Sequence, residues 1–187
     1  MQYVKPWPLG DGTEILIRPI RPEDEPLMVR FHATLSERSV YLRYFHLSSL
    51  DYRVSHERLR RICFVDYDRE IALVAELRNP VNEESEILAV GRLAKADRAN
   101  EAEFAILIGD RFQHHGLGTE MLRRLIEIAR AEKLRKVTAD ILPENHHMLS
   151  LCKALGFHLR YSTEDRVIKA ELLLSAPTES GSGPIQP

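Results

Sequence analysis

Residues 101–122 read EAEFAILIGDRFQHHGLGTEML and hold the densest chemistry in the chain. An apolar run ends, a turn carries Gln113, His114, His115 and Gly116, and a second apolar pattern begins at Leu117, with Gly118 and Thr119 in its first turn. Glycines here let a ligand approach the backbone without meeting a Cβ. The first-turn N–H groups of a helix have no partner within it, and the macrodipole favours an anion there. A strand, a glycine turn and a helix in this order make a cradle for a pyrophosphate. Two common cradles fail on the residues. A P-loop requires GxxxxGK[ST], and no such string occurs. The dinucleotide fingerprint GxGxxG/A, started at Gly116, puts its third small residue at Met121. What remains is [Gln/Arg]-x-x-Gly-x-[Gly/Ala] after an apolar strand, which an ordinary strand–turn–helix corner with two glycines would also show.

A second segment raises the specificity. Some thirty residues on, the chain reads NHHMLSLCKALGF from Asn145 to Phe157, and a strand-like run, KVTADIL, joins the two segments. An Asn that opens a helix and a Gly-Phe that ends it complete a pair of motifs in a fixed order. The pair resembles the GCN5-related N-acetyltransferases over roughly residues 13–174. Residues 17–45 and the stretch EAEFAILIGDRFQHHGLG are also similar to the catalytic domain of bacterial protein lysine acetyltransferases of the Pat type.

The resemblance implies a GNAT fold of the α/β (α+β mixed) class: a central mixed, mostly antiparallel sheet of six to seven strands with helices on both faces. It implies acetyl-CoA as acyl donor and an amine as acceptor. The backbone of Ala105, Ile106, Leu107 and Ile108 then pairs with the pantetheine arm. Gln113, His114, His115, Gly116, Leu117, Gly118 and Thr119 hold the pyrophosphate. Asn145 contacts the arm or orders water, with Met148 and Cys152 of the same helix at the cofactor. The acceptor implied is a protein lysine, for example on an acyl-CoA synthetase. A small-molecule amine and a non-catalytic acyl-CoA sensor are the alternatives.

Glu103 is the candidate general base. It sits in an otherwise apolar strand just before the cradle, where desolvation raises a carboxylate towards the range a base needs, and Pat-type enzymes use a glutamate at this place. Its stand-in is Glu101, two residues away on the same face of a strand. The family's usual general acid is a Tyr, and its position here is Cys152. A cysteine inside a helix reads first as a small core residue and only second as a nucleophile. The pairs His114-His115 and His146-His147 lack the further ligands of a tetrahedral metal set, so no metal is expected. Arg53, Arg58, Arg60 and Arg61 read as the solvated face of a helix, or as a docking site for an acidic partner. Tyr41, Tyr44 and Phe45 read as core or as the wall of the acceptor site, and Trp7 carries no reading.

These groups need a scaffold. The residue pattern predicts strands at 13–18, 70–77, 87–93, 101–108, 136–142, 157–161 and 167–174. It predicts helices at 22–35, two short ones capped by Ser36 and Ser55, and longer ones at 117–132 and 145–155. Leu117, Met121, Leu122, Leu125, Ile126, Ile128 and Ala129 form one apolar stripe. Residues 1–12, with Pro6, Pro8 and Gly10, read as an irregular lead-in, 13–175 as a single domain, and 176–187 (APTESGSGPIQP) as a disordered tail.

The chain's 187 residues suit one domain with extra segments. With 26 Lys+Arg against 28 Asp+Glu, no strong global field favours nucleic acid or an anionic membrane. No apolar run reaches the roughly 18–20 residues of a membrane span. No secretory signal pattern opens the chain, and two cysteines make no disulfide framework, so the expected location is cytoplasmic.

Overall fold

The computed structural model describes residues 3–10, 12–79, 84–96 and 100–174. Eight strands form one sheet in the order β1-β2-β3-β4-β5-β6-β8-β7. They are β1 (Lys5–Pro8), β2 (Glu14–Pro19), β3 (Glu70–Arg78), β4 (Ser85–Lys95), β5 (Glu101–Ile108), β6 (Lys136–Ile141), β7 (His158–Ser162) and β8 (Val167–Leu173). Every neighbouring pair is antiparallel except β5 with β6. The helices are α1 (Glu25–Ala33), α2 (Glu37–Tyr44), α3 (Leu50–Arg53), α4 (His56–Cys63), α5 (Leu117–Ala131) and α6 (His146–Ala154).

Alternation along the strands builds two cores. In β3, Ile71, Leu73 and Ala75 meet α5 and α6 on one face. Ala72 and Val74 meet α1, α2 and α4 on the other. A strand buried on both faces reads as the near-continuous apolar run IALVA. The apolar stripe of α5 lies wholly within the first core.

Two departures from the sequence reading matter. Lys5–Pro8, inside the segment expected to be irregular, is an edge strand paired with β2. Its two prolines remove ladder donors, which an edge tolerates. Arg124 of α5 holds it from behind, donating to the carbonyls of Lys5 at 3.1 Å and Pro6 at 3.5 Å. The sheet therefore has eight strands, one more than expected. The second departure is α3, a one-turn helix that Ser49 caps by accepting from the Tyr52 N–H. Ser36 caps α2 in the same way, through the Ser39 N–H. Ser55 precedes α4 as expected, but its side chain makes no cap bond. The expected tail at 176–187 lies outside the described residues.

One buried ion cluster ties the acceptor half to the sheet. Arg18 in β2 is 3% exposed and donates to both Asp24 oxygens at 2.7 Å and to Glu76 of β3 at 2.6 Å. Asp24 ends the turn that starts α1 and also accepts the Arg21 N–H. Burial alone would push the Glu76 carboxyl up; the Arg18 guanidinium outweighs it and holds Glu76 below its ordinary range. Replacing Arg18 by Met strands two carboxylates, one of them fully buried. Urea denaturation of Arg18→Met is expected to show a loss of about 3–5 kcal/mol, the usual cost of breaking a buried pair from one side.

Candidate active site

The site follows from how β5 and β6 meet. Their parallel ladder has only three rungs: Glu101 with Lys136, Ala102 with Val137, and Glu103 with Thr138. Beyond Glu103 the strands part, although β5 runs on to Ile108 and β6 to Ile141. On its other side β5 stays paired with β4 through Ile108. From Phe104 onward β5 therefore presents to the gap an edge that no neighbouring strand covers. Backbone polar groups away from water require partners, so this edge is a ready ladder for an extended amide-bearing ligand.

At the end of β5 the chain turns sharply. The Gly109 N–H donates to the Leu88 carbonyl at 2.8 Å, and one 3-10 turn spans Asp110–Phe112. Asp110 accepts from the backbone and hydroxyl of Ser36 and from the Ser39 hydroxyl, which ties α2 to the turn. Burial would raise the Asp110 carboxyl, but these bonds hold it below its ordinary range. The Gln113 amide donates to the Ser39 hydroxyl at 3.0 Å and to the Ile108 carbonyl at 3.3 Å. Gly116 then adopts φ +82° as N-cap of α5, with no side chain capping the helix. A Cβ there would have ordinary contacts with the Trp7 ring, so the left-handed backbone, not space, calls for glycine. The first-turn N–H groups of α5 are left facing the groove, beside a fixed positive dipole end.

The groove has a volume of about 600 Å³. It brings together Glu103, Ala105, Ile106, Leu107, Ile108, Gln113, His114, Gly116, Gly118, Thr119, Asn145 and Met148. Three expected residues lie elsewhere. Leu117 points into the core with no exposure, and only its backbone belongs to the turn. His115 is exposed outside the groove, its Nδ1 bonded to the Gln113 carbonyl at 2.6 Å. Cys152 is fully buried in the first core, and burial pushes its thiol up to about 12. The helical face that puts Leu151 on the groove turns Cys152 away from it.

Glu103 differs from expectation in one respect. It is exposed on the groove wall rather than enclosed by the apolar strand around it. Glu101 is occupied by an ion pair with Lys136 at 3.1 Å. Asn145 caps α6, its Oδ1 accepting the Met148 N–H at 3.2 Å. The His114 and His147 rings meet edge to face at 4.6 Å on the groove wall, and burial, then the neighbouring His114, holds His147 below the ordinary histidine value. Among the described residues no three His, Cys, Asp or Glu side chains converge as a metal set.

The sequence reading missed much of the opposite wall. Ser39, Leu42 and Arg43 of α2 and Ala139, Asp140 and Ile141 of β6 line the groove, beside Tyr44 and Phe45, which the sequence reading offered as core or wall. Ser36 was legible as a cap, but its second role at Asp110 spans 74 residues and has no local signal. The arginine cluster also departs from a solvated helix face. Arg60 and Arg61 are exposed, but Arg53 is 7% exposed and donates to the carbonyls of Ser48 and His32. Arg58 lies over the rings of Tyr44 and Tyr52 at 5.0 and 5.2 Å, and Arg43 lies over Tyr44 at 5.0 Å. Phe45 is exposed on the groove wall, whereas Tyr41 is exposed outside the groove lining.

Comparison with known proteins agrees with this geometry. The profile of the acetyltransferase (GNAT) domain matches residues 14–158. An acetyltransferase of Pseudomonas aeruginosa is 33% identical over 151 residues, 80% of this chain and 77% of its own. The GNAT domain of PAT from S. lividans superimposes with a TM-score of 0.80 at 26% identity, over 92% of this chain and 98% of that one. RimJ of Mycobacterium smegmatis, solved with CoA-disulfide, shares the fold with a TM-score of 0.71 at 14% identity, over 91% and 86% of the two chains.

Two outcomes test this description. Mixing the protein with acetyl-CoA should leave no acetyl adduct on Cys152 by peptide mass mapping; an adduct there would overturn direct attack on the donor. His32, 1% exposed, is held down to about 4 by burial and by Arg53, Arg58 and Arg43. Its unfolded value is higher, so neutral His32 contributes fully near pH 7 and progressively less as pH falls from about 6.5 to about 4. The stability difference between wild type and His32→Leu, measured by denaturation, should shrink by up to about 3 kcal/mol across that window.

Proposed function

Because this chain belongs to the acetyltransferase (GNAT) family, we propose that it moves the acetyl group of acetyl-CoA to a lysine side chain of a protein, with Glu103 as general base. Acetyltransferase activity and acetyl-CoA as donor come with the family. The observation that carries the finer reading is the position of Glu103 on the last rung before β5 and β6 part. A ligand laid along the free edge of β5, with its pyrophosphate at Gly116–Thr119, has its reactive end beside that rung.

Glu103 removes a proton from the acceptor ammonium, directly or through one water. The neutral amine attacks the thioester carbonyl, its nitrogen gives up a second proton to water, the carbon–sulfur bond breaks, and CoA leaves as the thiolate. With Cys152 at the position of the family's Tyr, the thiolate takes its proton from water. The pantetheine arm pairs with the backbone of Ala105 to Ile108, and the first turn of α5 holds the pyrophosphate.

A protein acceptor is supported by the exposed segment that leaves the groove wall at Phe45. Phe45, Leu47, Leu50 and Tyr52 are 40%, 63%, 40% and 58% exposed within one short segment. Exposed apolar side chains clustered at a site mark a protein contact more often than a small-molecule pocket. The reading also takes 13–175 as one catalytic domain. It places the protein in the cytoplasm, where its two buried, free cysteines are at home. Among the described residues no helix is long and apolar enough to cross a membrane.

The test is acetyl transfer to a purified acyl-CoA synthetase, read by intact mass. Wild type should add acetyl groups, and Glu103→Gln should be at least about 100-fold slower. Transfer that survives the substitution removes Glu103 as base. Transfer only to small amines overturns the protein acceptor.

A further inference from the structure

One region of the acceptor half is electrostatically incomplete. Arg43 from α2, Arg53 from α3 and Arg58 from α4 all act on His32 of α1. Neighbouring arginines have carboxylate partners: Arg61 pairs with Glu57, and Arg92 with Glu70. Among the described residues, no carboxylate pairs with Arg43, Arg53 or Arg58. Glu103 acts on Arg43 at longer range only. The described buried side-chain polar atoms that lack a hydrogen-bond partner also gather here: His32 Nδ1, Ser48 Oγ, Arg53 Nε and Arg58 Nε. Buried polar groups without partners are costly, and three guanidinium groups around a neutral histidine repel one another.

The cluster opens on the active site. A small recess of about 20 Å³ lies under α2, lined in part by His32, Arg43 and Tyr44. Arg43 and Tyr44 line both this recess and the large groove that holds Glu103. The recess is far too small for a whole ligand. The cation–ring stack of Arg43, Tyr44, Arg58 and Tyr52 holds two charges in fixed positions, Arg43 on the wall shared by recess and groove and Arg58 over the same Tyr44 ring. Guanidinium groups so fixed are suited to a carboxylate.

We propose that Arg43 and Arg58 read an acidic side chain of the acceptor polypeptide, placed close in sequence to the lysine that Glu103 deprotonates. This rests on the protein-lysine reading given above. The charges fit together. A lysine ammonium approaching three arginines is repelled, and a neighbouring carboxylate cancels that repulsion while the amine proceeds to Glu103. Exposed Phe45, Leu47 and Tyr52 beside the stack supply the apolar contact that a peptide needs and a small amine does not.

Single-lysine peptides that differ only by Glu or Gln at each position flanking the lysine test this, at saturating acetyl-CoA. In wild type the best Glu peptide should exceed its Gln twin by about ten-fold in kcat/KM, the scale of one charge-assisted contact. That ratio should fall to within about two-fold in Arg43→Gln and Arg58→Gln, and Arg43→Lys should keep part of it. General damage to the enzyme slows both twins together and leaves the ratio unchanged. Equal rates for the twins in wild type overturn the proposal, as does a ratio that survives both substitutions. In either case peptide turnover itself leaves the lysine reading standing. Inert peptides beside active small amines overturn both, and an arginine-dependent preference for carboxylate-bearing small amines moves the anion to a different class of acceptor.

Discussion

The site depends on a place where hydrogen bonding stops. β5 and β6 hold together for three rungs and then separate, while β5 keeps its other neighbour. A free strand edge inside a sheet is normally a liability, covered or twisted away. Here it faces a groove whose far end is the uncapped first turn of α5. Strand edge and helix start are linked by the short turn that Gln113 and Asp110 brace against α2. One run of chain, from Glu101 to Thr119, thus supplies a backbone ladder, an anion cradle and a carboxylate, and needs few particular side chains to do so.

The acceptor side is built differently. It draws on α1 to α4, which pack on the opposite face of the sheet through their own core. That layer is anchored by the buried cluster of Arg18, Asp24 and Glu76. A charge cluster fixes one geometry because each member needs the others, and apolar packing alone is more forgiving. The division has a physical logic. Under the proposed function the donor side would recognise a constant molecule through its backbone, whereas the acceptor side would use side chains, the part of a protein that changes most readily.

The sequence made the donor half legible because its signals are local. A glycine that must take positive φ, an apolar strand before it and an amphipathic helix after it stand within some twenty residues, as do Asn145 and the Gly-Phe ending of α6. The order and type of the strands followed from period-2 patterning, and β3 from its continuous apolar run. Three things were not legible. β1 is short and holds two prolines, and it is a strand because Arg124 and β2 make it one. Cys152 stood one step from a groove residue in sequence, and a helix turns by about 100° per residue, so that step carries it into the core. Arg53 and Arg58 looked solvated because their partners, the Ser48 and His32 carbonyls for one and the Tyr44 and Tyr52 rings for the other, come from other segments, and no spacing rule encodes such contacts.

Trp7 carried no reading in the sequence, and its place in the structure gives it one. It is the chain's single tryptophan, and its ring lies against Gly116, with two of its carbons 3.7 and 3.8 Å from where a Cβ would stand. The indole touches the glycine turn that, in the proposed function, holds the donor's phosphates. Any adjustment of that loop on filling changes the solvation and field of the ring, and no second indole adds background. The fold therefore contains a native fluorophore against the glycine turn of the groove, and its emission on adding acetyl-CoA would report without a label whether that turn is the donor's seat.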